Sequence, residues 1–109
     1  MTTITQNSNL CTMINVFTVP PERQQELLDV LIEATDKVMQ TLPGFVSANF
    51  HKSLDGVRVI NYAQWESQAA FEAMRSNPEA AKHINKCREI AQHIDFHLYT
   101  VEHCSTAEN

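Results

Sequence analysis

The stretch ANFHKSLDGVRVINYAQWES, residues 48–67, decides the fold. It passes from one strand-forming run through Ser-Leu-Asp-Gly into another, and it ends on a serine ahead of a helical pattern. Gly56 is free to take the positive φ of a tight reversal, so SLDGV reads as a hairpin turn between antiparallel strands. The predicted strands are residues 45–53 and 57–65. Ser67 is placed to cap a helix that carries Phe71 and Met74 inward.

Upstream of the hairpin, Pro43-Gly44 ends a predicted helix. Its Leu27, Leu28, Leu31, Ala34, Thr35, Val38, Met39 and Leu42 recur at helical spacing, with Glu33, Asp36, Lys37 and Gln40 off the stripe. That helix begins at Pro20-Pro21, where a missing N–H costs little, and Glu22 and Glu26 suit the positive end of its dipole. Residues 10–19, rich in β-branched and apolar types, read as a first strand. Downstream, SNPE at 76–79 interrupts the second helix and restarts it, with Asn77 as cap and Pro78 at the first position. The restarted piece carries Ala80, Ala81, Ile84, Cys87 and Ala91 inward, and residues 95–101 form the last strand. The order is β-α-β-β-α-β, an α+β domain of ferredoxin-like type with an antiparallel sheet. Residues 1–9 are expected to be a disordered extension, 10–103 the domain, and 104–109 a tail.

The chain has 109 residues, of which 43 % are hydrophobic, and a net charge of −5. One domain with a real core is therefore expected. No Lys/Arg cluster is present, which argues against nucleic acid and anionic membrane as partners. No apolar run approaches the ~18 residues of a membrane span and no leader is visible, so the expected location is cytoplasmic. Cys11, Cys87 and Cys104 are far apart and read as free thiols.

The strands lack a clean apolar/polar alternation. Val57, Val59, Ala63 and Trp65 point one way, and Ile60 and Tyr62 the other. Helices cover one face of such a sheet, and the other should be wet. Here it is too apolar for that, so a second copy is expected to cover it in a two-fold homodimer.

Against this apolar background some polar residues need explaining. Asn61 is mid-strand, where asparagine is disfavoured, and it shares a face with Trp65. Asn15 sits mid-strand in MINVF with the parity of Met13 and Phe17. Two hairpin registers are open. A three-residue loop, Leu54-Asp55-Gly56, sets His51 opposite Val59 and Asn49 opposite Asn61, gathering His51, Asn49, Asn61 and Trp65 on one surface. A two-residue loop, Asp55-Gly56, moves His51 to the other face. The first is preferred because it groups the polar residues. Together they would line a flat pocket for an aromatic molecule, with His51 able to act as a base near neutral pH. His83, on the second helix, faces either that pocket or solvent, and solvent is the simpler place. His93 and His97 straddle the predicted helix-to-strand change at Asp95, so no metal pair is expected.

Four segments carry a family resemblance: INVFTVPPERQQELL (14–28), LPGFVSANFHKSLDG (42–56), VINYAQWESQAAFEAM (59–74) and HLYTV (97–101). Over residues 12–102 the chain resembles the antibiotic-biosynthesis monooxygenases, a family of dimeric α+β barrels. NYAQWES with the upstream FHKSLDG is similar to the quinone-forming branch. The resemblance implies oxidation of an electron-rich phenol or anthrone by O₂ to a quinone, with no metal, flavin or haem. It implies catalytic roles for Asn61, Trp65 and His51. Asn15, Asn49, Phe71, Met74 and His83 are the candidate substrate-binding residues. Phe71 stands where some members carry a tyrosine, so that phenol is absent here. The alternatives are a haem-degrading monooxygenase, to which Asn15 and His83 would contribute, and a non-catalytic dimer that binds a small ligand.

Overall fold

The computed structural model describes residues 2–108. Four strands, β1 (Cys11–Thr18), β2 (Phe45–Lys52), β3 (Arg58–Trp65) and β4 (His93–Tyr99), form one antiparallel sheet in the order β2-β3-β1-β4. Helices α1 (Gln24–Lys37), α2 (Gln68–Arg75) and α3 (Pro78–Ile90) complete the β-α-β-β-α-β order. This is the ferredoxin-like α+β architecture.

Local signals place the helix ends. Ser67 Oγ accepts from the Ala70 N–H at 3.1 Å, and Asn77 Oδ1 accepts from Glu79 and Ala80 at 2.9 and 3.1 Å. These caps satisfy donors that a helix start leaves open. The first helix departs from expectation at both ends. Pro21–Arg23 form a 3-10 turn before it, and the backbone of Val38 (φ −123°, ψ −64°) leaves the helix after Lys37. A second 3-10 turn, Met39–Thr41, follows, with the Thr41 hydroxyl donating to the Val38 carbonyl at 2.7 Å. The last strand starts earlier than expected, because Gln92 N–H already bonds the Thr18 carbonyl (2.7 Å) and Thr18 pairs with His93.

The hairpin register is the larger correction. Phe50 pairs with Asn61, His51 with Ile60 and Asn49 with Tyr62. The loop is residues 54–57, closed by the Ser53 N–H on the Arg58 carbonyl (3.0 Å), with Gly56 at φ +83°. This has the parity of the less favoured register. It turns Ala48 and Phe50 towards the helices and sends Asn49 and His51 to the outer face. Burying one phenylalanine stabilises by about 1.5–3 kcal/mol, more than grouping a few half-exposed polar side chains returns. A β-bulge between Phe45 and Ser47 adds a second shift. It leaves Val46 exposed and lets Phe45 join Ala48 and Phe50 on the helix side, where simple alternation had separated them.

Gln24 ties the two halves together. Its buried amide donates to the carbonyls of Ser53 (3.2 Å) and Arg58 (2.9 Å), fixing the first turn of α1 to the hairpin. The core falls into two apolar clusters. One gathers Phe17, Leu27, Leu31, Val59, Cys87 and Ile90; the other gathers Met13, Ala63, Trp65, Phe71, Met74 and Ala80.

Candidate active site

The join between those clusters is polar. Along β1 the helix-facing residues run Met13, Asn15, Phe17, and along β3 they run Val59, Asn61, Ala63. Asn15 and Asn61 are direct cross-strand partners, and Phe96 and Phe50 flank them on β4 and β2. One row across the whole sheet therefore reads Phe50, Asn61, Asn15, Phe96. The adjoining row contains Ala48 opposite Ala63, whose short side chains leave room beneath the helices.

A cavity of about 140 Å³ lies over this floor and opens to solvent. Aromatic edges build one wall. The rings of Phe45 and Trp65 meet edge-to-face at 5.4 Å, Trp65 and Phe71 at 6.4 Å, and Phe71 and Phe96 at 6.1 Å. Trp65 is only 2 % exposed, so its position is set by packing on both sides. Helices α2 and α3 form the roof with Met74, Arg75, His83, Ile84, Cys87 and Arg88.

Electrostatically the floor of the cavity is neutral, and its roof carries the cationic side chains of Arg75 and Arg88. The Oδ1 atoms of Asn15 and Asn61 are buried and have no hydrogen-bond partner among the described residues. The Arg75 guanidinium stands 5.0 Å over the Phe96 ring and also reaches Glu72 at 3.6 Å. Burial pushes the Cys87 thiol up to about 11, so it stays protonated and is no nucleophile at neutral pH. Cys11 is raised as well, by burial and then by Glu72.

Of the residues singled out from sequence, Asn15, Asn61, Trp65, Phe71, Met74 and His83 all line this cavity. His51 and Asn49 do not. They lie on the outer face through the register described above. Asn49 Nδ2 donates there to the Tyr62 carbonyl (2.9 Å), and His51 is exposed, its Nδ1 3.2 Å from the Asn49 carbonyl. The grouping of His51 with Asn61 is thus corrected, and with it the geometric basis for His51 as the base. His83 is half-buried on the cavity side rather than in solvent. It lies three residues from Ala80 and four from Cys87, a spacing that marks the inner face of α3. Arg75, four residues after Phe71, and Arg88, four after Ile84, were missed; the same spacing would have found them.

His93 and His97 both lie on β4 and point to the outer face. Four residues along a strand separate them by about 13 Å, too far to share an ion. Among the described residues there is no group of three or more His, Cys, Asp or Glu able to hold a metal. Among them too, no helix is long and apolar enough to cross a membrane.

Comparison with known proteins follows the same lines. The profile of the antibiotic biosynthesis monooxygenase family matches residues 11–86. Tetracenomycin-F1 monooxygenase of Streptomyces glaucescens is 47 % identical over 92 residues, covering 84 % of this chain and 82 % of that one. Among solved structures, a monooxygenase from the gene ActVA-Orf6 of Streptomyces coelicolor, in complex with nanaomycin D, superimposes with a TM-score of 0.82 at 25 % identity. It covers 90 % of this chain and 92 % of its own. SnoaB, a cofactor-independent oxygenase from Streptomyces nogalater, has a TM-score of 0.78 at 22 % identity, covering 89 % and 97 %. By the family profile and by its identity to a curated member, this chain belongs to the antibiotic biosynthesis monooxygenase family.

Proposed function

We propose that this monooxygenase oxidises an electron-rich aromatic of phenol or anthrone type with O₂ to a quinone, using no cofactor. The observation that carries the reading is the pair of asparagine amides in the floor of an aromatic-walled cavity whose roof carries Arg75, His83 and Arg88. The chemistry needs little more. The substrate loses a proton, and its carbanion-like anion gives one electron to O₂. The two radicals join as a peroxide at carbon, and loss of one water leaves the carbonyl. One O₂ is consumed, one oxygen atom enters the product and the other leaves in water.

Asn61 would hydrogen-bond the substrate oxygen through its NH₂, which donates as the proton leaves. Trp65 and Phe71 give the ring a flat wall, and the apolar lining keeps water from the anion and the peroxide. His83 is the histidine on the cavity wall and the proposed proton acceptor. The enclosed volume is about that of apolar cavities that take up a single benzene ring, so a fused ring system extends through the open mouth.

The working form is proposed to be a homodimer. Ile14, Val16, Ile60 and Tyr62 lie on the outer face of the sheet, and the Tyr62 hydroxyl is buried there with no hydrogen-bond partner among the described residues. Light scattering after size exclusion would show twice the chain mass; a stable monomer at low micromolar concentration overturns the dimer.

Oxygen uptake decides the reaction. Chelator-treated protein, free of flavin and haem, is mixed with an anthrone, and O₂ consumption is followed with the rise of quinone absorbance. Equal amounts of O₂ consumed and quinone formed are expected, with turnover falling in Asn61→Ala and Trp65→Phe. Uptake that needs added flavin or haem overturns the cofactor-free reading. A Soret shift on haem titration that is lost in His83→Ala would replace it with haem chemistry.

A further inference from the structure

A row of residues on the outer face of the sheet is bridged by the start of the chain. Ser47, Gln64, Thr12 and Tyr99 are successive cross-strand partners, at the end of the sheet that also holds Trp65. Residues 2–7 cross this row as a strap. At one end the Thr2 hydroxyl donates to Asn49 Oδ1 (2.6 Å). At the other the Asn7 N–H donates to the Val101 carbonyl and Gln6 Oε1 accepts from the Cys104 N–H, both at 2.9 Å. Gln64 joins strap to sheet: its NH₂ donates to the Thr3 carbonyl and its oxygen accepts from the Ser47 hydroxyl, both at 2.8 Å. Asn49 closes the circuit, its NH₂ donating to Ser47 Oγ (3.3 Å) and to the Tyr62 carbonyl (2.9 Å). Gln64 and Thr12 are each only 3 % exposed, although they lie on the face away from the helices.

This network sits directly behind the aromatic wall of the cavity. Ser47 is the first β2 residue after the β-bulge, and its partner Gln64 precedes Trp65. Without the bulge, alternation from the Ser47–Gln64 pair would set Val46 opposite Trp65 and turn Phe45 outward. With it, Phe45 stands opposite Trp65, ring to ring at 5.4 Å. The bulge is held from one side by the Glu66 N–H on the Gly44 carbonyl (2.7 Å) and from the other by Ser47 on Gln64. We propose that residues 2–7 are a positioning device for the active site: through Gln64, Asn49 and Ser47 they hold the bulge that sets Phe45 against Trp65. The assignment rests on the reading of that wall as the surface that receives the substrate ring. Ser47, Asn49 and Gln64 line no part of the cavity and act through the two rings.

Trp65 is the only tryptophan in the chain, so its emission reports the wall directly. Ser47→Ala removes the link between bulge and Gln64. Gln64→Glu keeps an acceptor for Ser47 but sets a carboxylate against the Thr3 carbonyl and releases the strap. In both, Trp65 emission should move to longer wavelength and acrylamide should quench it more strongly. The wall meets the ring in ground state and transition state alike. KM for an anthrone should therefore rise about fivefold, the worth of one hydrogen bond, with kcat within about twofold. Ser47→Thr, which keeps the hydroxyl, should read as the natural protein. Gln24→Leu is the control: it removes a buried amide that ties the hairpin at its far end, and so lowers stability without touching the strap. Unchanged Trp65 emission and KM in Ser47→Ala and Gln64→Glu overturn the proposal, and so does an equal change in Gln24→Leu. If Gln64→Glu fails to fold, Ser47→Ala beside Ser47→Thr decides. A responsive Trp65 without oxygen uptake would remove only the oxygenase reading, and uptake with an unresponsive Trp65 would remove only this one.

Discussion

Asn15 and Asn61 face each other across neighbouring strands, and each has a buried amide oxygen with no hydrogen-bond partner among the described residues. In a purely structural core this pairing is a defect. An unsatisfied buried acceptor costs about 1–3 kcal/mol, whereas an apolar group of the same shape costs nothing. Asn61→Leu is therefore expected to raise the unfolding free energy by about 1 kcal/mol and to lower turnover by at least tenfold. Urea denaturation beside oxygen uptake checks both halves. Destabilisation with activity intact would mark the amide as structural.

The two histidines nearest in sequence logic to the site separate on the structure. His51 is exposed on the outer face, and His83 is half-buried on the cavity wall. His51→Ala is expected to leave turnover within about twofold of the natural protein, since an exposed change away from the site is nearly neutral. His83→Ala should lower it by about 10²-fold, the low end of what a positioned acid or base contributes. Initial rates of quinone formation compare them directly, and the reverse ranking would return the base to the outer face.

What could be read ahead of the structure, and what could not, follows the range of the forces involved. Ser67, Asn77, Pro78 and Gly56 act within a few residues of themselves, and they placed the helix starts and the hairpin correctly. The β2–β3 register depends on which residues of β2 gain burial under helices distant in sequence. Turn chemistry at Asp55-Gly56 is compatible with either parity. The bulge at Val46 has the same origin, because nothing in FVSANF announces it. Asn61 and Trp65 could be placed together because they lie on one strand. Asn15 could be flagged as out of place, but its meeting with Asn61 needed the β1–β3 register. His83 and the arginines of the roof were within reach of helical spacing, since each lies three or four residues from an apolar side chain that faces the sheet.

Gly44 and Gly56 look alike in sequence and in backbone, with φ of +84° and +83°. Their surroundings differ. A Cβ on Gly44 would collide with the Ala70 Cβ, where the loop passes over the start of α2 and the Gly44 carbonyl accepts from Glu66 at 2.7 Å. A Cβ on Gly56 would meet only Pro21, at 3.7 Å. Gly56→Ala should cost about 1 kcal/mol, the backbone contribution alone. Gly44→Ala should cost clearly more, about 2–4 kcal/mol, because backbone must move as well. Thermal unfolding of both variants tests the ranking, and equal losses would show that the α2 start yields freely.

Cys87 makes stability depend on alkaline pH. Burial holds its thiol at about 11, above the ordinary 9.0, so the folded chain keeps a proton that the unfolded chain gives up earlier. The neutral thiol's contribution is complete below pH 9. It declines as pH rises through the interval to 11, because the unfolded chain is then stabilised by ionisation and the folded chain is not. Each tenfold drop in the acidity of the thiol on folding corresponds to about 1.4 kcal/mol, so the loss attributable to this group approaches about 2–3 kcal/mol. Cys87→Val removes the titration and keeps an apolar side chain of similar size. Urea unfolding of both proteins at pH 8, 9, 10 and 11 subtracts the tyrosines and lysines that titrate in each. The natural protein should lose stability more steeply than the variant between pH 9 and 11, while below pH 9 the two curves run parallel. Parallel curves throughout would mean that the thiol ionises freely and that the roof of the cavity admits water.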